Sequence, residues 1–310
     1  MGNNLRDIRR KMKGFKSTRQ VTKAMELVSA SKMRRAVQNA QILRRYAITA
    51  WTILRKLAHA HPGQHLFLEQ RPVRNVLLIV LASDRGLCGS FNSHIVKTAS
   101  QYVRGIQGLG SGVEVEYIAV GRRAQQALAR SDAKIIAAFP ALSNHPKFRD
   151  ILPISRMAIE AFQNRTYDHV VLVYSTFLSA LTQEPTVKVL LPFSATELKK
   201  VADEVLGEQH LTKEEQHALQ TPLSKTEYIF EPSPAEVLDR ILPQLTELQI
   251  FQAVLETAAS EHSARMIAMR NASDNASDVI DDLTLTYNRT RQAGITAELA
   301  ELSASKAALD

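Results

Sequence analysis

Four groups of residues have types and spacings with which chemistry could be done. The first is the loop Ser83-Asp84-Arg85-Gly86-Leu87-Cys88-Gly89-Ser90-Phe91-Asn92, which follows a strongly apolar run. Its Gly86-to-Ser90 core comes close to a nucleophile elbow, the sharp strand-to-helix turn that presents a reactive side chain. A thiol nucleophile there would need a base and an acidic group to orient that base. His94 is near in sequence but falls one turn into the next helix, and no acidic residue follows at a usable spacing. Cys88 therefore reads as a small buried packing residue. The same loop fits neither G-x-G-x-x-G nor G-x-x-x-x-G-K-[ST], so it offers no phosphate cradle. The second group, Gly108, Gly110 and Gly112, precedes a strand instead of following one and cannot set a helix N-terminus against a phosphate. The third group, His59, His61 and His65 around Pro62-Gly63, lacks a fourth ligand and reads as a solvated linker, not a zinc site. The fourth is the set of N-x-[ST] triplets at Asn164, Asn271, Asn275 and Asn288, which are coincidental in a cytosolic chain. No catalytic residue, cofactor site or metal site is expected. The single cysteine excludes an internal disulfide and a Cys-cluster metal site, and it fits a reducing compartment.

The elements that must position these residues are of two kinds. At the N-terminus, apolar residues recur at alternating spacings of three and four: Leu5, Ile8, Met12, Phe15, then Met33, Ala36, Ala40, Leu43, Ala47, Ala50, Leu54 and Leu57. That is a coiled-coil seam. Between its two runs the seam positions are polar (Arg19, Thr22, Glu26, Ser29), while Val21, Met25 and Val28 carry the apolar character. The seam is expected to rotate or loosen there. No proline occurs before Pro62, so one long helix is expected. The C-terminus mirrors it, with Leu238, Ile241, Leu245, Leu248, Leu255, Ala259, Met266, Met269, Ala276, Ile280, Leu283 and Tyr287 on the same rule. Ser233-Pro234 marks its start, and Pro243 is expected to kink its first turns. Long amphipathic helices need a cover for their stripes, and two that flank a folded middle cover each other most simply as an antiparallel pair.

The middle reads as α/β. Residues 74–82 form a buried parallel strand. Further strands are expected at Val113–Val120, Lys134–Phe139 and His169–Thr176, with helices at Ser90–Ile106, Arg122–Arg130 and Phe148–Gln163. Gly105–Gly112 is a turn, and Pro185–Leu191 pairs with the preceding strand as a hairpin. The alternation predicts a mostly parallel sheet with right-handed crossovers. The domains are then 1–60 with 233–310 as the helical shaft, 73–195 as the α/β body and 196–232 as an irregular connection, with a little helix at Glu197–Val205.

Charge sharpens the function. Residues 1–60 hold 15 Lys and Arg against Asp7 and Glu26, so they carry the chain's basicity; the whole chain has a net charge of +8. Such a segment seeks an acidic partner. It lacks an apolar h-region and a small-residue cleavage site, so it is read as part of the mature fold. No apolar stretch is long enough to span a bilayer. One function class that follows is a nucleic-acid binder using Arg9, Arg10, Lys11 and Lys13 on phosphates. Against it stand the matching C-terminal apolar stripe and the lack of an aromatic stacking platform.

Three longer motifs point elsewhere. Lys23-Ala-Met-Glu-Leu-Val-Ser-Ala-Ser-Lys-Met-Arg34, Ser83-Asp-Arg-Gly-Leu-Cys-Gly89 and Tyr287-Asn-Arg-Thr-Arg-Gln-Ala-Gly-Ile-Thr296 together resemble the gamma subunit of F-type ATP synthase, in the right order along the chain. The resemblance implies a fold of α/β plus a long antiparallel α-helical coiled coil, with a Rossmann-like domain inserted between the two terminal helices. It implies a non-catalytic central stalk rotor, with no cofactor, inside a hexamer of alpha and beta subunits. The rotor would also bind the epsilon subunit and the c-ring, and touch the membrane only through that ring. The chain would lie peripherally on the cytoplasmic face of a bacterial inner membrane. Carried over position by position, Met25 falls in the shaft segment facing acidic beta loops, and Arg85 in a loop that contacts beta. Arg265, Arg291 and Gln292 match positions that hydrogen-bond a beta loop. Lys306 stands where the family often has glycine, and the two cysteines of a chloroplast-type redox insert are absent.

Overall fold

The structure, a computed structural model, describes residues 2–60, 66–109, 112–144, 146–193 and 233–307. His61, His65, the 196–232 connection and the helix expected at Glu197–Val205 lie outside the described residues. So do the side chains of the seam positions 47, 50, 54 and 57 and of Lys306. The elements in order are α1 (Gly2–Ala60), β1 (Asn75–Leu81), α2 (Phe91–Leu109), β2 (Glu114–Val120), α3 (Arg122–Arg130), β3 (Ile135–Phe139), α4 (Phe148–Gln163), β4 (His169–Phe177), β5 (Gln183–Leu191) and α5 (Pro234–Ala307). The chain forms two compact units. One is Met1–Ser31 with Arg265–Asp310, and the other is Lys32–Ala264.

The first unit is a pair of helical segments, one from α1 and one from α5. Ile8, Thr22 and Ser29 are buried on α1, and Met269, Ser273, Ala276 and Ile280 on α5, the three-and-four spacing that covers one stripe per helix. The Arg9 guanidinium donates to the Tyr287 hydroxyl and lies 5.4 Å from its ring centroid. Arg9 and Tyr287 thus bridge the two helical segments of this unit. One expectation is overturned. The seam does not rotate through its polar stretch: Thr22 and Ser29 are 8% and 3% exposed, whereas Val21 and Val28 are 56% and 54% exposed. Helical pitch keeps positions 22 and 29 inward, and small hydroxyl residues tolerate this. The Thr22 hydroxyl lies 3.0 Å from the Thr18 carbonyl and 3.1 Å from that of Arg19, so its own helix satisfies it. The valines are left on the outer face.

The second unit is built on a five-stranded sheet in the order β3-β2-β1-β4-β5. The first four strands are parallel, and β5 returns antiparallel to β4 at an edge, where Pro185 costs no central ladder bond. The central strand β1 is buried on both faces and so reads as an unbroken apolar run. Leu77, Ile79 and Leu81 point into a core with Ile151, Ile154 and Phe162 of α4 and Leu238, Leu242, Leu245 and Val254 of α5. Val76, Leu78 and Val80 point the other way, against Ile95 and Ala99 of α2 and Ala124 and Leu128 of α3. Gly105 and Gly108, expected in a turn, lie inside α2, which runs to Leu109. Each glycine costs a helix about 1 kcal/mol, and the packing of Tyr102, Val103 and Ile106 on the second core offsets it. Ser233 caps α5, its hydroxyl oxygen accepting the Glu236 N–H at 3.3 Å, and Pro234 takes the first helical position. The helix continues through Pro243.

A polar cluster closes the end of the sheet where β2 and β4 begin. Lys134 pairs with the Glu116 carboxylate, and the Tyr167 hydroxyl donates to its other oxygen. Those two partners hold the Glu116 carboxyl below its ordinary value. A depressed carboxyl contributes stability that is complete above the unfolded-state value and fades as pH falls through the folded one. Glu116→Gln should therefore be less stable than the native chain at neutral pH, with the gap narrowing below about pH 4. Urea midpoints measured across that range check it; a gap independent of pH would show that the carboxylate's charge contributes nothing.

Candidate partner-binding site

The loop from β1 to α2 is held rigidly by its own side chains. Asn92 Oδ1 accepts the Ser83 N–H at 3.0 Å, and its Nδ2 donates to Cys88 Sγ at 3.2 Å. The Ser83 hydroxyl donates to the Arg85 carbonyl at 2.6 Å. Asp84 reaches across to the next crossover: one carboxylate oxygen accepts the Arg122 N–H at 2.9 Å and the Ala141 N–H at 3.1 Å. Gly121, with φ of 95°, lets the two crossovers meet, since a Cβ there would lie 2.2 Å from the Ala82 carbonyl oxygen. The cleft beyond the ends of β1 and β2 is where open α/β sheets seat their ligands. Here Leu81, Val120, Leu142, Val254 and Thr257 line it and leave room for little more than a water.

Cys88 is buried within the second core, while His94 is exposed. The groups around the sulfur are an amide, a hydroxyl and a carbonyl. None of these three groups is a base. Cys88→Ser should leave the chain's function within about twofold of native and cost about 1–2 kcal/mol of stability, the scale of an ordinary substitution at a buried position. Thermal denaturation beside an assay of the assembled protein checks both. A large functional loss at unchanged stability would give the thiol a chemical role.

Four of the residues selected from sequence fall in the helical unit. Met25 is half-buried, and beside it Lys23 pairs with Glu26 at 2.9 Å. Met25 follows Val21 by four residues and precedes Val28 by three, so an apolar stripe runs along the outer side of α1. Arg265 is buried, whereas Arg291 and Gln292 are exposed a little over one turn beyond Tyr287 and about four turns before the helix ends at Ala307. Arg85 belongs to the sheet unit and is exposed at the tip of its loop. Four of these residues thus belong to one unit and Arg85 to the other. Among the described residues no cluster of His, Cys, Asp or Glu could hold a metal, and no helix is long and apolar enough to cross a membrane. Sequence reasoning passed over Arg122 and Arg123. The signal was present: two arginines open a helix where acidic residues are the favoured choice.

Comparison with known proteins agrees with this layout. The family described as ATP synthase matches residues 4–309. The ATP synthase gamma chain of Roseiflexus sp. (strain RS-1) is 41% identical over 307 residues, covering 98% of both chains. That of Cupriavidus necator is 38% identical over 305 residues, covering 98% of this chain and 99% of the other. Among solved structures, the rotor of Euglena gracilis mitochondrial ATP synthase aligns with a TM-score of 0.59 at 20% identity, covering 95% of this chain and all of the other. The central stalk and c-ring structure of the Tetrahymena thermophila mitochondrial enzyme aligns at 0.58 and 23% identity, covering 82% and 99%. At those identities the two structures speak for the fold. None of this supports the nucleic-acid-binding alternative. A family match over nearly the whole chain and end-to-end likeness to named relatives agree: the chain belongs to the ATP synthase gamma chain family.

Proposed function

We propose that this chain is the central stalk rotor of an F-type ATP synthase, a non-catalytic subunit that couples ion-driven rotation to ATP synthesis. In this reading its fold is an antiparallel coiled coil with a Rossmann-like domain inserted between the terminal helices. The coil turns inside the hexamer of alpha and beta subunits, and the other unit joins the epsilon subunit and the c-ring. The complex sits peripherally on the cytoplasmic face of a bacterial inner membrane. The observation that carries the reading is likeness to named gamma chains across almost the whole length, at both helical ends as well as the sheet.

The physics of the task fits the chain. A rotor performs no bond chemistry; it biases which conformation each catalytic subunit adopts at each angle, and it does so only through contacts that differ between conformations. An axle of this kind needs stiffness, which paired helices supply, and an asymmetric contact surface. The basic segment 1–60 suits acidic partner loops, with the stripe Val21, Met25 and Val28 facing outward toward them. Arg85, Arg265, Arg291 and Gln292 supply donors for carboxylates and carbonyls of the beta subunit. The test is a native mass spectrum of the complex purified through a tag on this chain. One copy with three alpha and three beta subunits is expected; recovery of the chain alone, or bound to nucleic acid, would defeat the reading.

A further inference from the structure

Within the sheet unit, α5 turns the residues Val254, Thr257, Ala258 and Glu261 toward the cleft beyond β1 and β2. Their spacing of three, four and seven is that of a single helix face. Opposite them stand the strand ends Leu81 and Val120 and the loop after β3. A helix face packed on a sheet end is expected to be apolar, and Val254 and Ala258 are. The other two residues are polar and equally buried: Thr257 is 5% exposed and Glu261 3%. Being four residues apart, they lie one above the other along the same side of the cleft.

The Thr257 hydroxyl behaves unlike its counterparts in the same helix. Thr246, Thr284, Thr286, Thr290 and Thr296 each donate to the carbonyl four residues earlier, at 2.8 to 3.0 Å. That bond is the ordinary way for a helical threonine to satisfy itself. Thr257 forgoes it, and among the described residues its buried hydroxyl oxygen has no hydrogen-bond partner. A buried hydroxyl left unmade costs free energy, so a rotamer that turns away from a ready carbonyl needs a partner elsewhere. The cleft that Thr257 lines has room for about one water. Glu261 supplies the second polar wall, since the two oxygens of a carboxyl group accept more than one bond at a time. A divalent cation would call for six or more oxygens, which this mostly apolar lining does not offer.

We infer that the cleft binds one ordered water, which takes the Thr257 hydroxyl proton in a hydrogen bond and donates to the Glu261 carboxyl. The water is a structural ligand at the joint between α5 and the sheet. The same joint is already tied at two other points: the Ala141 N–H donates to Asp84 at 3.1 Å, and His262 Nε2 lies 3.0 Å from the Ser143 carbonyl oxygen. Solvent thus occupies the place where other open α/β sheets seat a ligand, and it lets a polar helix face pack there without an unmet hydroxyl.

The test joins a structure to a melting curve. An experimental map of the full chain, at a resolution that shows ordered waters, should contain one peak within hydrogen-bond distance of both Thr257 Oγ1 and a Glu261 carboxyl oxygen. Thr257→Val keeps the shape of the side chain and removes only its hydroxyl. With the water in place, that change deletes a bond, and the midpoint of thermal unfolding should fall by about 2–4 °C. In a dry cleft the sign reverses, because valine then relieves an unmet hydroxyl and the midpoint stays or rises. The map of the valine variant should show the peak lost or weakened. Three findings overturn the inference: a midpoint that is unchanged or raised, a native cleft with no peak and Thr257 turned back to the Ala253 carbonyl, or a peak that exchanges for thallium with anomalous signal, which would make it a monovalent cation. The native map decides by itself should the valine chain fail to fold.

Discussion

Leu255→Asp yields no assembled complex. Leu255 is 0% exposed, on the stretch of α5 that is buried nearly all round within the sheet unit. A carboxylate there loses its water and finds no cation, at a cost of several kcal/mol, and the removed leucine leaves a further cost of about 2–5 kcal/mol. Together these approach or exceed the whole stability of an ordinary domain, about 5–15 kcal/mol. The neutral control is Leu255→Met, which keeps volume and should cost less than about 1.5 kcal/mol. Soluble yield, circular dichroism and recovery of partner subunits check both. Normal assembly of the aspartate variant would mean that this part of α5 is not a packed core element.

Met25→Lys uncouples the complex without dismantling it. Met25 lies half-buried in the outward stripe with Val21 and Val28, so the change opens no core cavity and the helix pair should keep its stability to within about 1 kcal/mol. If that stripe slides past acidic loops, a weakly interacting and polarizable methionine lets it pass. A lysine adds a charge-assisted bond of about 1.5–3 kcal/mol to whichever carboxylate it meets, favouring one shaft angle over the others by about ten- to a hundredfold. ATP hydrolysis should persist while ion pumping falls steeply. Added salt should restore pumping only in part, because a partly desolvated pair is weakly screened. ATPase rate and proton pumping measured in the same inverted vesicles decide it. An unchanged ratio would remove the coupling role from Met25 while leaving the rotor reading standing.

Much of this was legible because the physics was local. The strands were found to within a residue or two, since β1 and most of β4 are buried on both faces and such strands appear as unbroken apolar runs. The Ser233-Pro234 start of α5 was legible for the same reason: capping is decided by adjacent residues. The errors came where packing at a distance outvoted local preference. Val21 and Val28 are apolar and were read as the seam, but helical pitch, not hydrophobicity, decides which side faces the partner. Gly105 and Gly108 were read as a turn, yet Tyr102 and Ile106 hold the helix through them. The first half of α5 carries apolar residues on several sides because it packs into the sheet's core, a demand that a periodicity rule for a two-helix seam does not contain. Of the candidate site, Met25 and Arg85 were selected because they lie in long motifs. Arg122 and Arg123 lie in no such motif, and Asp84 and Gly121 bring them to the loop only once the parallel strands β1 and β2 are paired.

Rotation itself tests the account most directly. Cys88→Ser removes the chain's own thiol, and Ser93→Cys places a single exposed one on α2 in the sheet unit, to which a bead can be attached. With the alpha and beta subunits fixed to a surface and ATP supplied, the bead should turn steadily in one direction, and the turning should stop when hydrolysis is inhibited. Sustained ATP hydrolysis by an intact complex whose bead stays still, or only jitters about one angle, would contradict the claim that this chain is the rotor.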